Sequence, residues 1–230
     1  MGNRYQAVIV IGVPIISILI SVTALCLSYQ ANQTAEKSYQ ATHQSLLPII
    51  QATRDTDCDE GICTETVTVI NTEGTVRDFI GFPLAYMEIL RTDIDVDDLT
   101  YIQLHGYFGT SKLMEQGQVF PQIFYRENNA YHYDLIAGGF REAAFKDGYI
   151  VQTSLKIILD MSYVDYAGQP YHGWLEVWPG YSSPKRSWDY VKEIRCSAAI
   201  MEDTQRYVFI GRTEGATVWN WYKDEILTRD

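Results

Sequence analysis

The residues best equipped for recognition chemistry crowd into one stretch. Tyr171, Trp174, Trp178, Tyr181, Trp188 and Tyr190 fall within twenty positions, with Lys185 and Arg186 between them. Read as a strand, Gly173–Trp178 puts Trp174, Glu176 and Trp178 on one face and Leu175 and Val177 on the other, because side chains alternate with a period of two. With Leu175 and Val177 turned to a core, two indoles stand on the outer face. Rigid aromatic area with a polar edge suits a protein interface or a carbohydrate platform. The same tryptophans also serve as ordinary core or subunit-interface residues, and the sequence favours that plainer reading over a sugar site. The candidate binding residues are therefore Tyr171, Trp174, Trp178, Tyr181 and Trp188.

Other chemistries find weaker support. Cys58 and Cys63 bracket DEGI, and Gly61 is available for a turn, so the pair suits a disulfide pinning a short hairpin. No second Cys or His pair follows at ligand spacing, which argues against a metal site. Asp93, Asp95, Asp97 and Asp98 alternate carboxylates as a calcium loop does, but Gly and Glu are missing from the positions such a loop requires. The run reads as a solvated acidic loop. His43, His105, His132 and His172 are scattered singly. No phosphate-binding glycine loop, nucleophile elbow or zinc-protease helix occurs. The expectation is a protein that binds rather than catalyses, with no cofactor and no metal.

The elements that must position these residues read mostly as strands. Thr64–Ile70 alternates, with Val67 and Val69 on one face, and a turn follows at Asn71–Gly74. Leu155, Ile157, Leu159, Met161 and Tyr163 alternate with Lys156, Ile158, Asp160, Ser162 and Val164. A turn at Ala167–Pro170 then sends His172–Trp178 back as the partner strand. Further strands are expected at Ile49–Thr53, Val76–Ile89 with a break at Pro83, Leu99–Tyr107, Val119–Tyr125, Ile194–Met201 and Tyr207–Gly211. Residues 128–148 read as a short helix or a long loop, and Trp219–Leu227 as a terminal helix. Short strands between turn signals predict a mainly β fold, an antiparallel β-sandwich over residues 49–230.

Ahead of that domain, Ala7 to Ser28 holds no charged residue. As a helix it would measure about 33 Å, against roughly 30 Å of hydrocarbon in a bilayer. The expectation is a short tail and transmembrane helix over 1–28, a lipid bilayer contact through residues 7–28, and a polar helical stalk over 29–48 ended by Pro48. A hairpin disulfide persists outside the reducing cytosol, which places the amino terminus in the cytoplasm and the carboxyl domain outside it. The net charge of −11 and the pI near 4.8 exclude a nucleic-acid partner, since phosphate binding needs basic clusters that are absent.

The anchor and stalk over residues 7–50, followed by Val67–Gly74 and Ile158–Val177, resemble a group of bacterial proteins. These are uncharacterised single-pass envelope proteins carrying an immunoglobulin-like β-sandwich after an amino-terminal helix. The resemblance implies fold and placement, and no activity. The expected function is a non-enzymatic, membrane-anchored accessory or structural subunit. It would bind another membrane or envelope protein, or itself, through span, stalk or aromatic β face. The alternatives are a carbohydrate-binding or sensing module using Trp174 and Trp178, and a pilin-like fibre subunit.

Overall fold

The computed structural model describes residues 21–39, 42, 46–92, 98–109, 111–113, 120–180 and 184–228. Two compact units divide between Leu47 and Pro48. In the first, helix α1 covers residues 21–39, and its residues are exposed. Its apolar part ends at Leu27, and Gln30, Asn32, Gln33, Glu36 and Lys37 come after it. No helix among the described residues is long and apolar enough to cross a membrane, which corrects the expected span over 7–28. Residues 7–20 of that span lie outside the described residues. The placement of amino terminus in the cytoplasm and carboxyl domain outside, read from the disulfide, required that span and is corrected with it.

The second unit is a mixed α/β fold rather than the expected all-β sandwich. Its elements run β1 (Ile50–Asp59), β2 (Ile62–Asn71), β3 (Arg77–Arg91), β4 (Asp98–His105), β5 (Ser111–Leu113), β6 (Gln122–Tyr125), α2 (Asn129–Lys146), β7 (Val151–Val164), β8 (Pro170–Glu176), β9 (Lys185–Arg186), α3 (Trp188–Asp203), β10 (Val208–Phe209) and α4 (Gly215–Tyr222). A short π-helix, Lys223–Leu227, follows α4. The strands form a four-stranded sheet, β1-β2-β6-β5, and a six-stranded sheet, β10-β4-β3-β7-β8-β9. Every described pairing between named strands is antiparallel except β10 with β4.

One face of the large sheet carries two packed regions. Phe79, Ile157, Leu159, Met161, Leu175 and Val177 meet Ile50, Ala52, Val67, Val69 and Phe124 of the small sheet. Further along the same face, Ala85, Met87, Ile89, Ile102 and Leu104 meet Ile136, Phe140 and Ala144 of α2 and Val218, Trp219 and Tyr222 of α4. On the opposite face, Val191, Ile194 and Ala198 of α3 cover Tyr86, Tyr101 and Ile158.

The helices explain where the all-β expectation fails. Ile194–Met201, expected as a strand, lies inside α3. Its buried residues, Val191, Ile194, Ala198 and Met201, recur at three and four, the period of a helix with one apolar stripe. The Ser187 hydroxyl caps α3 by accepting from the Tyr190 N–H at 3.3 Å. Gly138-Gly139 made α2 resemble a loop, yet helix packing exploits this glycine-bearing surface. A Cβ on Gly215 of α4 would collide with the Ile136 carbonyl oxygen and the Phe140 backbone nitrogen, so the two helices meet backbone to backbone. Pro83 does not break β3, which pairs with β7 on both sides of it.

The hairpin expectation holds. Glu60 and Gly61 both have positive φ, the backbone a two-residue turn of this hand requires, and Cys58 and Cys63 face each other across the register and form a disulfide. Farther down, Asn129 clasps the hairpin to α2. Its amide oxygen accepts from the Glu65 N–H at 2.6 Å, and its amide nitrogen donates to the carbonyls of Glu65 and Tyr107 at 2.9 and 3.2 Å. The Glu65 carboxylate is itself buried, accepting from Arg54 Nε at 2.7 Å and from the Tyr107 hydroxyl. Burial and that carboxylate push the Tyr107 hydroxyl pKa far up, so it stays a donor.

Candidate functional site

The α3-side face of the large sheet is built from rows of side chains set by strand register. Ile80, Ser162 and His172 form one row across β3, β7 and β8. Phe82, Asp160, Trp174 and Arg186 form the next, reaching β9. Leu84, Ile158 and Glu176 form a third. Helix α3 lies over the third row and the row of Tyr86 and Lys156 next to it, burying Ile158 and Tyr86. The first two rows are open at their β3 end, where Ile80 is 53% exposed and Phe82 62%, while Trp174 packs against the α3 cluster.

Beneath and beside α3 lies a charged network. Lys156 Nζ sits 2.8 Å from Glu88 Oε2 and 3.6 Å from Glu176 Oε1, and donates to the Tyr190 hydroxyl at 3.0 Å. Tyr190 donates onward to Glu176 Oε2 at 3.0 Å, which also accepts from Arg186 Nε at 2.6 Å. Ser154 donates to Glu88 at 2.8 Å. Burial opposes the Lys156 charge, but hydrogen bonds to Glu88 and Tyr190 outweigh it and raise its pKa. Burial likewise opposes the Glu88 charge, yet Lys156 and Ser154 hold its carboxyl below the usual value. Desolvation pushes the Tyr101 hydroxyl up to about 12. Each charge has a partner, so the network reads as structure rather than as reactive machinery.

The sequence-predicted aromatics divide among three places. Trp174 and Trp188 come together, with ring centroids 5.2 Å apart, and His172 packs on Trp174 at 4.6 Å. The Trp174 indole N–H is buried and has no hydrogen-bond partner among the described residues, while Trp188 is 47% exposed. Tyr171 points to the other face and stacks on Tyr163 at 4.7 Å. Trp178 leaves the strand because β8 ends at Glu176. It lies in a separate cleft of about 220 Å³ with Arg54, Glu88, Lys156, Glu176 and Pro179. Trp174 and Trp178 therefore do not share one platform. Tyr181 lies outside the described residues.

Ile80, Phe82, Asp160 and His172 are the site residues that sequence reasoning missed. His172 Nε2 stands 2.6 Å from Asp160 Oδ1, a pair made by register across β7 and β8. The available signal was Ile158, an apolar residue amid Lys156 and Asp160 on a supposedly wet face. It marked that face as partly covered. Among the remaining histidines, His105 lies 3.0 Å from Glu202, His132 lies on α2, and His43 lies outside the described residues, as do Asp93, Asp95 and Asp97. No metal-holding group of His, Cys, Asp or Glu occurs among the described residues. Neither a protein-family model nor a curated protein matches this chain.

Proposed function

We propose that the domain beyond Pro48 is a non-enzymatic binding module that docks another protein on the open rows of its large sheet. One observation carries the reading: Ile80 and Phe82 stand more than half exposed beside the Trp174–Trp188 pair, although a helix crosses the same face. Contiguous exposed apolar and aromatic side chains mark interfaces, and aromatic residues dominate their energetics. A net charge of −11 opposes stacking two copies of the chain, which favours a partner of different sequence.

The test is purification of the tagged full chain from its own cells, beside Phe82→Asp and Ile80→Asp. A companion in fixed stoichiometry should accompany the wild type and be lost from both variants at unchanged melting temperature. A companion retained by both variants refutes the docking face. The carbohydrate reading draws on the half-exposed Trp188 stacked near Trp174. Quenching of tryptophan emission by surface oligosaccharides, abolished in Trp188→Ala, would select it instead.

A further inference from the structure

The open rows form a trough, because short side chains lie between tall ones. Asp160 and Ser162 of β7 make the floor, Phe82 and Ile80 of β3 one wall, and Trp174 and His172 of β8 the other. Two strand spacings separate the backbones beneath the two walls by roughly 9.5 Å. A cation on the midline would stand between the Phe82 and Trp174 side chains, and aromatic rings attract positive charge. It would also lie directly above the Asp160 carboxylate. That carboxylate meets His172 through Oδ1, and no Lys or Arg pairs with it among the described ion pairs. The neighbouring cations are engaged elsewhere, Arg186 on Glu176 and Lys156 on Glu88 and Glu176. Charge complementarity thus favours a positive occupant, drawn in by a chain whose net charge is −11. We infer that the trough receives a lysine or arginine side chain of the docked protein, held between Phe82 and Trp174 over Asp160. This inference rests on the docking reading above.

The experiment follows the indole N–H resonance of Trp174 in the full-length chain during titration with hexa-arginine, with the neutral hexa-citrulline as control. Hexa-arginine should give a saturable shift and hexa-citrulline none. Asp160→Asn should weaken the apparent affinity about fivefold, the scale of one exposed ion pair. Phe82→Leu, which keeps the apolar bulk and removes the ring, should weaken it about threefold, as loss of one exposed cation–π contact does. Glu142→Gln removes an equal charge at an exposed helical site and should leave the affinity unchanged. Equal weakening by Asp160→Asn and Glu142→Gln overturns the inference, since general acidity would then explain the binding. An unaltered affinity in Phe82→Leu, or an equal shift with hexa-citrulline, overturns it as well. The two failures are distinct. A companion lost in Phe82→Asp while hexa-arginine ignores Asp160 leaves the docking face standing and removes the cation.

Discussion

Along β3 and β7, a few residues separate Lys156, Glu88 and Ile158 beneath α3 from Phe82 and Ile80 in the open. The covered half holds the Lys156, Glu88 and Glu176 network, and the bare half holds the exposed Ile80 and Phe82. Hydrophobicity alone would assign them the other way. The covered charges persist because each is paired: Lys156 meets two carboxylates and a tyrosine hydroxyl, and Arg186 meets Glu176. The bare apolar groups need another explanation, since α3 ends short of them. The contrast teaches that cover on this face follows the path of α3 and the pairing of charges, and leaves Ile80 and Phe82 exposed.

The largest expected effect lies under the helix. Ile194→Ala should cost about 3 kcal/mol in urea unfolding, the scale for truncating a buried isoleucine. Phe82→Ala, on the same sheet face, should change stability by less than about 0.5 kcal/mol, as exposed substitutions do. Equal losses from the two would break the comparison. Next comes the network. Lys156→Met leaves Glu88 and Glu176 facing each other without their shared cation and should cost about 2 kcal/mol, below the usual loss for a fully buried pair because these groups are partly wet. Adding Glu88→Gln should recover part of that loss, and no recovery would mean the pairing is incidental.

A smaller effect concerns pH. The Glu88 pKa is depressed below its ordinary 4.5 in the folded protein. Its contribution is therefore complete above that value and disappears as pH falls through the depressed one. The Lys156 pKa is raised above 10.5, so its contribution is present below that pH and is lost only as alkali passes the raised value. Urea midpoints measured across acid pH should decline less steeply in Glu88→Gln than in wild type. The same slope in both would detach the network from acid stability. Smallest of all, Ile80→Ser should leave the urea midpoint unmoved while reducing recovery of the docked companion. A lowered midpoint would make the bare half structural after all.

Some of this molecule was legible residue by residue. The alternation of Leu155 to Tyr163 marks β7, and Gly61 between Cys58 and Cys63 marks the hairpin and its disulfide. Both signals are local, because strand period and turn geometry depend on adjacent residues. The helices were harder to read. Ile194–Met201 does not alternate as a strand does: Ile194, Ala198 and Met201 already stand four and three apart, a helical stripe that Val191 extends. The apolar run beginning at Ala7 pointed to a span, whereas no helix among the described residues, which include only 21–28 of that run, is long and apolar enough to cross a membrane. Trp174 and Trp188 were visible as neighbours in sequence, but Phe82 was not, since register with β7 brings it there from a distant strand.

The sequence by itself determined the acidic balance, the hairpin staple, the two-residue periods and the aromatic enrichment between Tyr171 and Tyr190. These properties come from composition and from contacts between close neighbours along the chain. Tertiary structure decided which aromatics share a surface, that Trp178 leaves Trp174, and that Asp160 lies between Phe82 and Trp174. The physical reason is that strand register and the placement of α3 are set by long-range burial of apolar side chains. Neither is written in the spacing of the residues that form the site.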